Sequence, residues 1–154
     1  MLATDILRKE HREAESLMAQ LQKADGQPSG AMYRPVFEKL KTALSLHMQA
    51  EEDIFYPAVK NGTEDMEDEV VEAYDEHAEV KALLTQMEEL DPTTPEFQTA
   101  LTTMMAGIEH HVAEEEDEMF PTAEKELGTA RLEEIGSQIE ALKGKADTSR
   151  TATM

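Results

Sequence analysis

The chain has 154 residues, no cysteine and a formal net charge of −20 at pH 7, and 40% of its residues are hydrophobic. This length suits one domain with a single core. The negative charge argues against binding nucleic acid or an anionic membrane through a broad electrostatic surface, because both need a cationic patch. The lack of cysteine excludes disulfides and thiolate ligands, so a bound metal would need nitrogen and oxygen ligands.

The N-terminus lacks a basic segment followed by an apolar one, and no apolar run approaches the roughly 18 residues needed to cross a bilayer. By default we expect a soluble cytoplasmic protein. Aromatic residues make up only 5% of the chain, whereas methionine occurs 10 times, which favours a helical core of Leu, Met, Ala and Val. The oligomeric state does not follow from the sequence.

Apolar residues recur at spacings of three and four, which predicts four amphipathic helices joined by short loops rich in Gly, Pro and Thr. In chain order, the predicted helices cover about residues 4–23, 35–60, 64–90 and 95–127. Gly128 ends the fourth helix, residues 131–142 are expected to form a short fifth helix, and residues 143–154 a flexible tail. The predicted fold is therefore all-α, an up-down-up-down four-helix bundle over residues 1–142.

Four of the five histidines fall one per predicted helix, each on the apolar stripe and each 13 to 16 residues from the loop at one end of the bundle. At about 1.5 Å of rise per residue, these distances agree to within one helical turn. These histidines are His11, His47, His77 and His111. We therefore expect four imidazoles at one level inside the bundle.

Two glutamates share the predicted core with them. The stripe of the second helix runs through His47, Glu51 and Ile54, and that of the fourth helix runs through His111 and Glu115. A buried carboxylate without a partner costs several kcal/mol at least, and Lys81 is the one cation in the predicted stripes. Metal ions would neutralise both carboxylates and use the four imidazoles, and two ions fit six ligands from four helices better than one.

A weak internal repeat indicates which of the adjacent histidines His110 and His111 belongs to the predicted site. HMQAEEDIFYPAV, which begins at His47, matches HVAEEEDEMFPTA, which begins at His111, at the histidine, the two glutamates after it and the proline. The repeat and the apolar stripe both select His111 with Glu115, and they place His110 beside the site. Tyr74 lies level with Glu51 and is either a hydrogen-bond donor to a metal-bound carboxylate or a packed aromatic residue.

In these residues the chain resembles the hemerythrin-like proteins, the HHE cation-binding domain family, over about residues 4–127. Four motifs carry the resemblance, one in each predicted helix. They are Glu10-His11, His47 to Glu51 with Phe55-Tyr56-Pro57, Glu76-His77, and His111 to Glu115 with Phe120-Pro121. The resemblance implies a non-haem, bridged di-iron centre to which O₂, peroxide or NO can bind. His11, His47, His77 and His111 would then be terminal ligands, and Glu51 and Glu115 bridging or chelating carboxylates.

The chain departs from the oxygen-carrying members at two positions. It has Lys81 where they place a second histidine on the third helix, and Glu115 follows its histidine at i+4 where they have Asp at i+5. Two functions follow as expectations: a protein that binds, senses or handles O₂ or iron, or an enzyme that consumes peroxide. Nitrogen and oxygen ligands also suit Mn and Zn.

Two other classes were weighed against these. A ferritin-like oxidase calls for Glu-x-x-His pairs, but Tyr74 and Ile108 precede His77 and His111 at that spacing. A purely structural acidic bundle leaves the two core carboxylates uncompensated.

Overall fold

The computed structural model describes residues 1–152, and the surroundings of side chains up to residue 146. The described residues form helices and connecting loops without strands. The α-helices are α1 (Ala3–Gln22), α2 (Arg34–Ala50), α3 (Tyr56–Gly62), α4 (Glu67–Glu88), α5 (Pro95–Glu114) and α6 (Phe120–Ala152). The expected all-α bundle is confirmed.

Two π-helical segments join these helices into longer ones. Glu51–Phe55 connects α2 to α3, and Glu115–Met119 connects α5 to α6, so the chain continues through each without a loop. The bundle thus consists of four long helical units, of which α1 packs against α2 and α4 against α5. In a π-helix each hydrogen bond spans five residues, so each segment shifts the face that its helix presents afterwards.

The connections show that neighbouring helices alternate in direction. At one end of the bundle, the N–H of Gly26 in the first loop donates to the carbonyl of Thr93 in the third loop. At the other end, the N–H of Glu64, between α3 and α4, donates to the side chain of Glu126. Loops at alternate ends give the predicted up-down-up-down order. Thr94 accepts a hydrogen bond from the Phe97 N–H and begins α5 as expected.

The apolar core has two parts. One cluster lies toward the loops at residues 23–33 and 89–94 and includes Leu21, Phe37, Leu84 and Phe97. The other lies toward the opposite end. Most of its members come from the start of α1, from α3, from the start of α4 and from α6, and Ala50, Phe55 and Met119 join it from the end of α2 and the ends of the π-helical segments. The four predicted histidines and the first residues of the two π-helical segments, Glu51 and Glu115, fall between these clusters along the bundle.

The C-terminal region differs from the expectation. The chain breaks at Gly128, whose φ of 81° and ψ of 167° only glycine adopts readily, and then resumes as a helix through Ala152. The predicted break and fifth helix are present, but the residues from 143 to 152, expected as a flexible tail, continue that helix; residues 153 and 154 lie outside the described part. The apolar residues Leu132, Ile135 and Ile139 bury this helix in the second cluster, at the opposite end of the bundle, which supports the longer element. The domain boundary at residue 142 stays a prediction.

Candidate metal centre

All six residues predicted to hold metal lie together in the layer between the two apolar clusters. The four histidines are 2% to 7% exposed, and Glu51 and Glu115 are 0% and 1% exposed. Their nitrogen and oxygen atoms form two groups, in each of which all atoms lie within 4.8 Å of one another. The first group contains His11, His47, Glu51 and Glu115, and the second contains Glu51, His77 and His111.

Every histidine directs its Nε2 atom at one of the two inner carboxylates. The Nε2 atoms of His47 and His77 lie 3.1 and 3.0 Å from Oε1 of Glu51. Those of His11 and His111 lie 3.1 and 3.2 Å from the carboxylate oxygens of Glu115. Four imidazole nitrogens therefore converge on two carboxylates.

The opposite nitrogen of every histidine has its own carboxylate partner. Each Nδ1 atom lies 2.7 or 2.8 Å from a glutamate oxygen, so that its N–H can donate to the carboxylate. The pairs are His11 with Glu116, His47 with Glu10, His77 with Glu52, and His111 with Glu76. Such a bond fixes the tautomer in which Nε2 is free to bind a metal, and it raises the basicity of the ring.

These outer carboxylates were not identified as site residues from the sequence, although their positions carried a signal. Glu10 and Glu76 directly precede a predicted histidine, and Glu52 and Glu116 directly follow a predicted inner glutamate. A residue next to one that points inward lies about 100° away around the helix, where it faces the neighbouring helix. The outer carboxylates could therefore have been found from their positions next to the inner histidines and glutamates in the sequence.

The ten residues are arranged in two equivalent halves. One half consists of residues 10, 11, 47, 51 and 52, and the other of residues 76, 77, 111, 115 and 116. Replacing each residue by its counterpart in the other half reproduces all four bonds between an Nδ1 atom and an outer carboxylate. Glu10 of α1 contacts His47 of α2, as Glu76 of α4 contacts His111 of α5. The weak repeat seen in the sequence thus reflects an approximate two-fold symmetry of the centre.

Tyr56 is a site residue that the sequence analysis missed. Its hydroxyl lies 2.6 Å from Oε2 of Glu115, 3.0 Å from Oε1 of Glu51, and 3.2 Å from Nε2 of both His77 and His111. In a regular α-helix, the fifth residue after Glu51 would face away from it. The π-helical segment returns that position to the same side, so Phe55 and Tyr56 are fully buried, whereas Ile54, expected on the core stripe, is only half-buried.

The corresponding residue of the other half is Phe120. Its ring stacks on His11 with centroids 5.8 Å apart and an interplanar angle of 8°. Phe120 has no hydroxyl to offer to the Nε2 atoms of His11 and His47. The two groups are therefore chemically different even though their histidines and glutamates correspond.

The first group leaves four buried polar atoms without a hydrogen-bond partner. They are Nε2 of His11, Nε2 of His47, Oε2 of Glu51 and Oε1 of Glu115. An unsatisfied buried polar atom costs about 1–3 kcal/mol, and more if it is charged. All four are metal-ligating atom types and belong to one group of ligands. A cation at this position would satisfy them together, so the residues present fit a metal ion.

The charges of the site shift the pKa values of its members. Burial alone would raise the pKa of Glu51, but the charge of His47 and the polar interactions with His111 and His77 hold it well below its usual value. Burial lowers the pKa of His111, but Glu115 and Glu51 outweigh this effect and raise it to about 12. Burial also lowers the pKa of His47, and Glu51 raises it above the ordinary value. Without a metal, protons on the imidazoles therefore compensate the buried carboxylates.

Three further residues were left open by the sequence, and all three lie outside the inner layer. The hydroxyl of Tyr74 donates to the backbone carbonyl of Glu52, 2.8 Å away, so it does not reach a carboxylate. Lys81 is half-exposed and pairs with Glu52 at 3.0 Å rather than with the inner glutamates. The side chain of His110 is 63% exposed and pairs with Glu114 at 2.7 Å.

Comparison with known proteins gives three findings. The family described as the hemerythrin HHE cation binding domain matches residues 2–123. A protein of Nostoc sp. (strain PCC 7120) named DNA nickase is 28% identical over 141 residues, which are 92% of this chain but 39% of that protein. The chain thus spans well under half of this relative's length.

The third finding concerns the fold. The crystal structure of a hemerythrin HHE cation-binding domain-containing protein from Mycobacterium kansasii is similar, with a TM-score of 0.76 at 24% identity. The similarity covers 95% of this chain and 90% of that one, so the two share the whole helical architecture. In the described part of this chain, no helix is both long and apolar enough to cross a membrane.

Proposed function

The chain belongs to the hemerythrin HHE cation-binding domain family, and on this premise we propose that it is a non-haem di-iron protein that binds, senses or handles dioxygen or iron. The observation that carries the proposal is the convergence of four histidine Nε2 atoms on Glu51 and Glu115, with four buried atoms of the first group unpartnered. Iron accepts this set of nitrogen and oxygen ligands.

In this proposal the ligands divide between two ions. His11 and His47 would hold one ion, His77 and His111 would hold the other, and Glu51 and Glu115 would contribute to both. Glu51 supports this division because its Oε1 atom is within 3.1 Å of histidines from both groups. Tyr56 contacts only histidines of the second group, so its hydroxyl belongs to the second ion's surroundings.

Bound iron would supply redox chemistry with dioxygen or peroxide. The chain's own contribution is to orient the ligands and to shield them from solvent. The outer carboxylates fix the rings, and three of them have a permanent cation outside. These pairs are Glu116 with Arg12, Glu52 with Lys81, and Glu10 with Lys143. These ion pairs stabilise the negative charge of the outer carboxylates outside the inner layer.

A second candidate is an enzyme that consumes peroxide, and the position of Tyr56 favours it. Its hydroxyl is a proton donor held 2.6 Å from Glu115 inside the centre, and reduction of a peroxide consumes protons. Binding or sensing of dioxygen needs no such supply. The acidic surface argues against DNA as a substrate, so we extend no nicking activity to this chain from its longer relative.

The ligand assignment is tested by metal content. We expect two irons per chain in the wild type, and a clear loss of iron in Glu51→Ala and in His77→Ala, since each removes a ligand and leaves charge or polarity uncompensated. His110→Ala is the matched control, because this histidine is exposed and pairs outside the layer. Full iron retention in both ligand variants would refute the assignment.

The two candidate functions are separated by spectroscopy. Protein purified anaerobically is exposed first to air and then to peroxide while its ultraviolet-visible spectrum is recorded. A charge-transfer band that forms and disappears reversibly with dioxygen supports binding or sensing, whereas continued loss of peroxide supports the enzyme. The cytoplasmic location expected from the sequence stays a prediction.

A further inference from the structure

A cavity of about 620 Å³ leads from the surface to the histidine layer. Its lining includes all four inner histidines, but neither Glu51, Glu115 nor Tyr56. Its outer part is formed by exposed residues at the start of α2, among them Pro35, Glu38 and Lys39. The cavity therefore gives a route from solvent to the rings of the proposed ligands.

The inner walls of the cavity are apolar. They come from α1, α2, α4 and α5, so every long helical unit contributes. The buried wall residues are Ala14, Leu44, Met48, Val80, Ile108 and Val112. The polar groups at this depth are the four histidines and the outer carboxylates Glu10 and Glu76. The Nδ1 atoms of all four histidines are already bonded to outer carboxylates. The walls therefore offer dispersion contacts and few hydrogen bonds.

The volume exceeds what a diatomic molecule or hydrogen peroxide needs. Cavities that bind organic molecules of drug size measure about 300–1,000 Å³ and are lined mainly by apolar side chains. This cavity falls within that range and has that lining. Its size and walls thus fit an organic molecule of roughly ten or more non-hydrogen atoms.

The glutamates of the lining disfavour an organic anion as the occupant. Four glutamates and two lysines line the cavity, and one of the lysines, Lys143, pairs with Glu10. The whole chain carries a net charge of −20. A carboxylate-bearing molecule would meet repulsion at the entrance and an apolar wall inside, and an ammonium group would have to be desolvated along the same wall.

We propose that this cavity binds an uncharged, largely apolar organic molecule that carries one oxygen function, and that this is the class of molecule brought to the metal centre. Apolar walls bind the body of the molecule, and a hard oxygen atom suits the iron held by the inner ligands. The second half of this statement rests on the proposed di-iron function. The binding itself depends only on the cavity.

The test uses 2-phenyl-2-propanol as an uncharged probe, titrated calorimetrically into the full-length protein as purified. We expect saturable binding to one site per chain. Ala43→Phe places a ring in the cavity from a half-buried lining position and should weaken binding by roughly tenfold or more, because the ring takes the volume of the probe. Ala82→Phe, at an exposed position of α4 outside the lining, should change it by less than about twofold.

A charged probe of similar size checks the chemical class. The anion 4-isopropylbenzoate should bind at least about tenfold more weakly than the alcohol. Absence of saturable binding, equal binding by Ala43→Phe and the wild type, or tighter binding of the anion would each overturn the inference. A second filling variant, Val112→Phe, covers the case in which Ala43→Phe does not fold.

Iron content, measured on the same samples, separates this inference from the proposed function. Iron bound at two per chain without binding of the alcohol refutes the cavity's role and leaves the di-iron proposal standing. Binding of the alcohol that Ala43→Phe abolishes, in protein that never holds iron, supports the cavity and refutes the di-iron proposal.

Discussion

Tyr56 and Phe120 are the pair of residues at which the two halves of the centre differ. Both side chains are completely buried, and both follow an inner glutamate by five residues. The hydroxyl of Tyr56 bonds to Glu51 and Glu115, whereas Phe120 stacks on His11. One oxygen atom therefore decides which of the two histidine pairs has a protein hydroxyl beside its Nε2 atoms.

Removing this oxygen should destabilise the metal-free protein. In Tyr56→Phe, the inner carboxylates lose their hydroxyl partner, and we expect the free energy of unfolding to fall by about 1–3 kcal/mol. With metal bound, the loss should be smaller, because the ion compensates the same oxygens. Urea unfolding with and without metal measures both values. Tyr74→Phe is the control, since its exposed hydroxyl bonds only to a backbone carbonyl and its loss should cost less than about 1 kcal/mol.

The pKa values of the histidines predict that metal binding releases protons. The pKa of His111 is about 12 and that of His47 is above its ordinary value, so the metal-free site retains protons at neutral pH. A metal needs the neutral rings, and the apparent affinity should therefore rise as the pH rises toward these pKa values. Calorimetry at one pH in buffers of different ionisation enthalpy counts the protons; a count of zero would contradict the prediction.

The outer carboxylates should control metal affinity without being ligands. Glu52→Ala removes the partner of the His77 Nδ1 atom, and loss of such a partner typically lowers metal affinity by roughly 10–100-fold. Glu79→Ala changes an exposed glutamate of the same helix as His77 and should leave the affinity unchanged. Competition with a chelator of known affinity measures both variants.

At the scale of residues, the inner layer could be predicted because it obeys helical periodicity. The spacing of His47 and Glu51, and of His111 and Glu115, is four residues in α-helix, so both members of each pair were found. Tyr56 was missed because its orientation depends on a π-helical segment, and no periodicity in the sequence marks one. The outer glutamates were missed because a surface-facing charge next to a core residue is common in any helix.

The elements that carry the site depend on two departures from regular helix. The π-helical segments present Glu51 and Glu115 at their first positions and return the following aromatic residues to the interior. Gly128 then turns the chain so that the rest of α6 packs along the start of α1, where Gly136 lies against the backbone of Met1 and Ala3. A side chain at residue 136 would separate these two elements.

Gly128 should be a glycine that the fold needs for its backbone conformation. In Gly128→Ala, the new methyl group meets no atom within 4 Å, but a φ of 81° is strained for alanine, so a destabilisation of about 1–3 kcal/mol is expected. Gly107→Ala is the matched control. It lies inside α5 with equal space, and alanine there should stabilise the protein by about 0.5–1 kcal/mol. Thermal unfolding measures the change in stability of each variant. Changes of opposite sign would confirm the prediction, and changes of the same sign would contradict it.

The predicted elements agreed with the structure where a local sequence signal marks the start of a helix or a break in it. Thr94 with Pro95 begins α5, and Gly128 interrupts α6, as the sequence indicated. The extension of α6 beyond residue 142 was missed because its small polar residues carry no apolar stripe. Its position is set by the contacts of Leu132, Ile135 and Ile139, which precede it along the chain.

At the scale of the molecule, a polar layer divides the apolar core in two. Buried histidines and glutamates replace apolar contacts across the whole cross-section, so neither cluster continues into the other through this layer. The stability of the bundle therefore depends on how well the charges of this layer are compensated.

Removal of the metal should accordingly lower the thermal stability of the whole bundle. A metal present at about 1,000 times its dissociation constant stabilises the native state by about 4 kcal/mol, which corresponds to roughly 10 °C for a domain of this size. Calorimetric unfolding before and after chelation measures the shift, and restoring the metal should reverse it. An unchanged unfolding transition would instead support a purely structural acidic bundle.

The two-fold arrangement of the centre has a consequence for the origin of the chain. Each half is one helical hairpin with two histidines and three glutamates. One of its histidines bonds to a glutamate of the same hairpin, and the other bonds to a glutamate of the opposite hairpin. Such a hairpin cannot complete a site alone, but two identical copies can do so as a homodimer. Duplication and fusion of one ancestral hairpin gene would produce this pattern, and fusion then frees each copy to diverge, as the tyrosine of one half and the phenylalanine of the other have done.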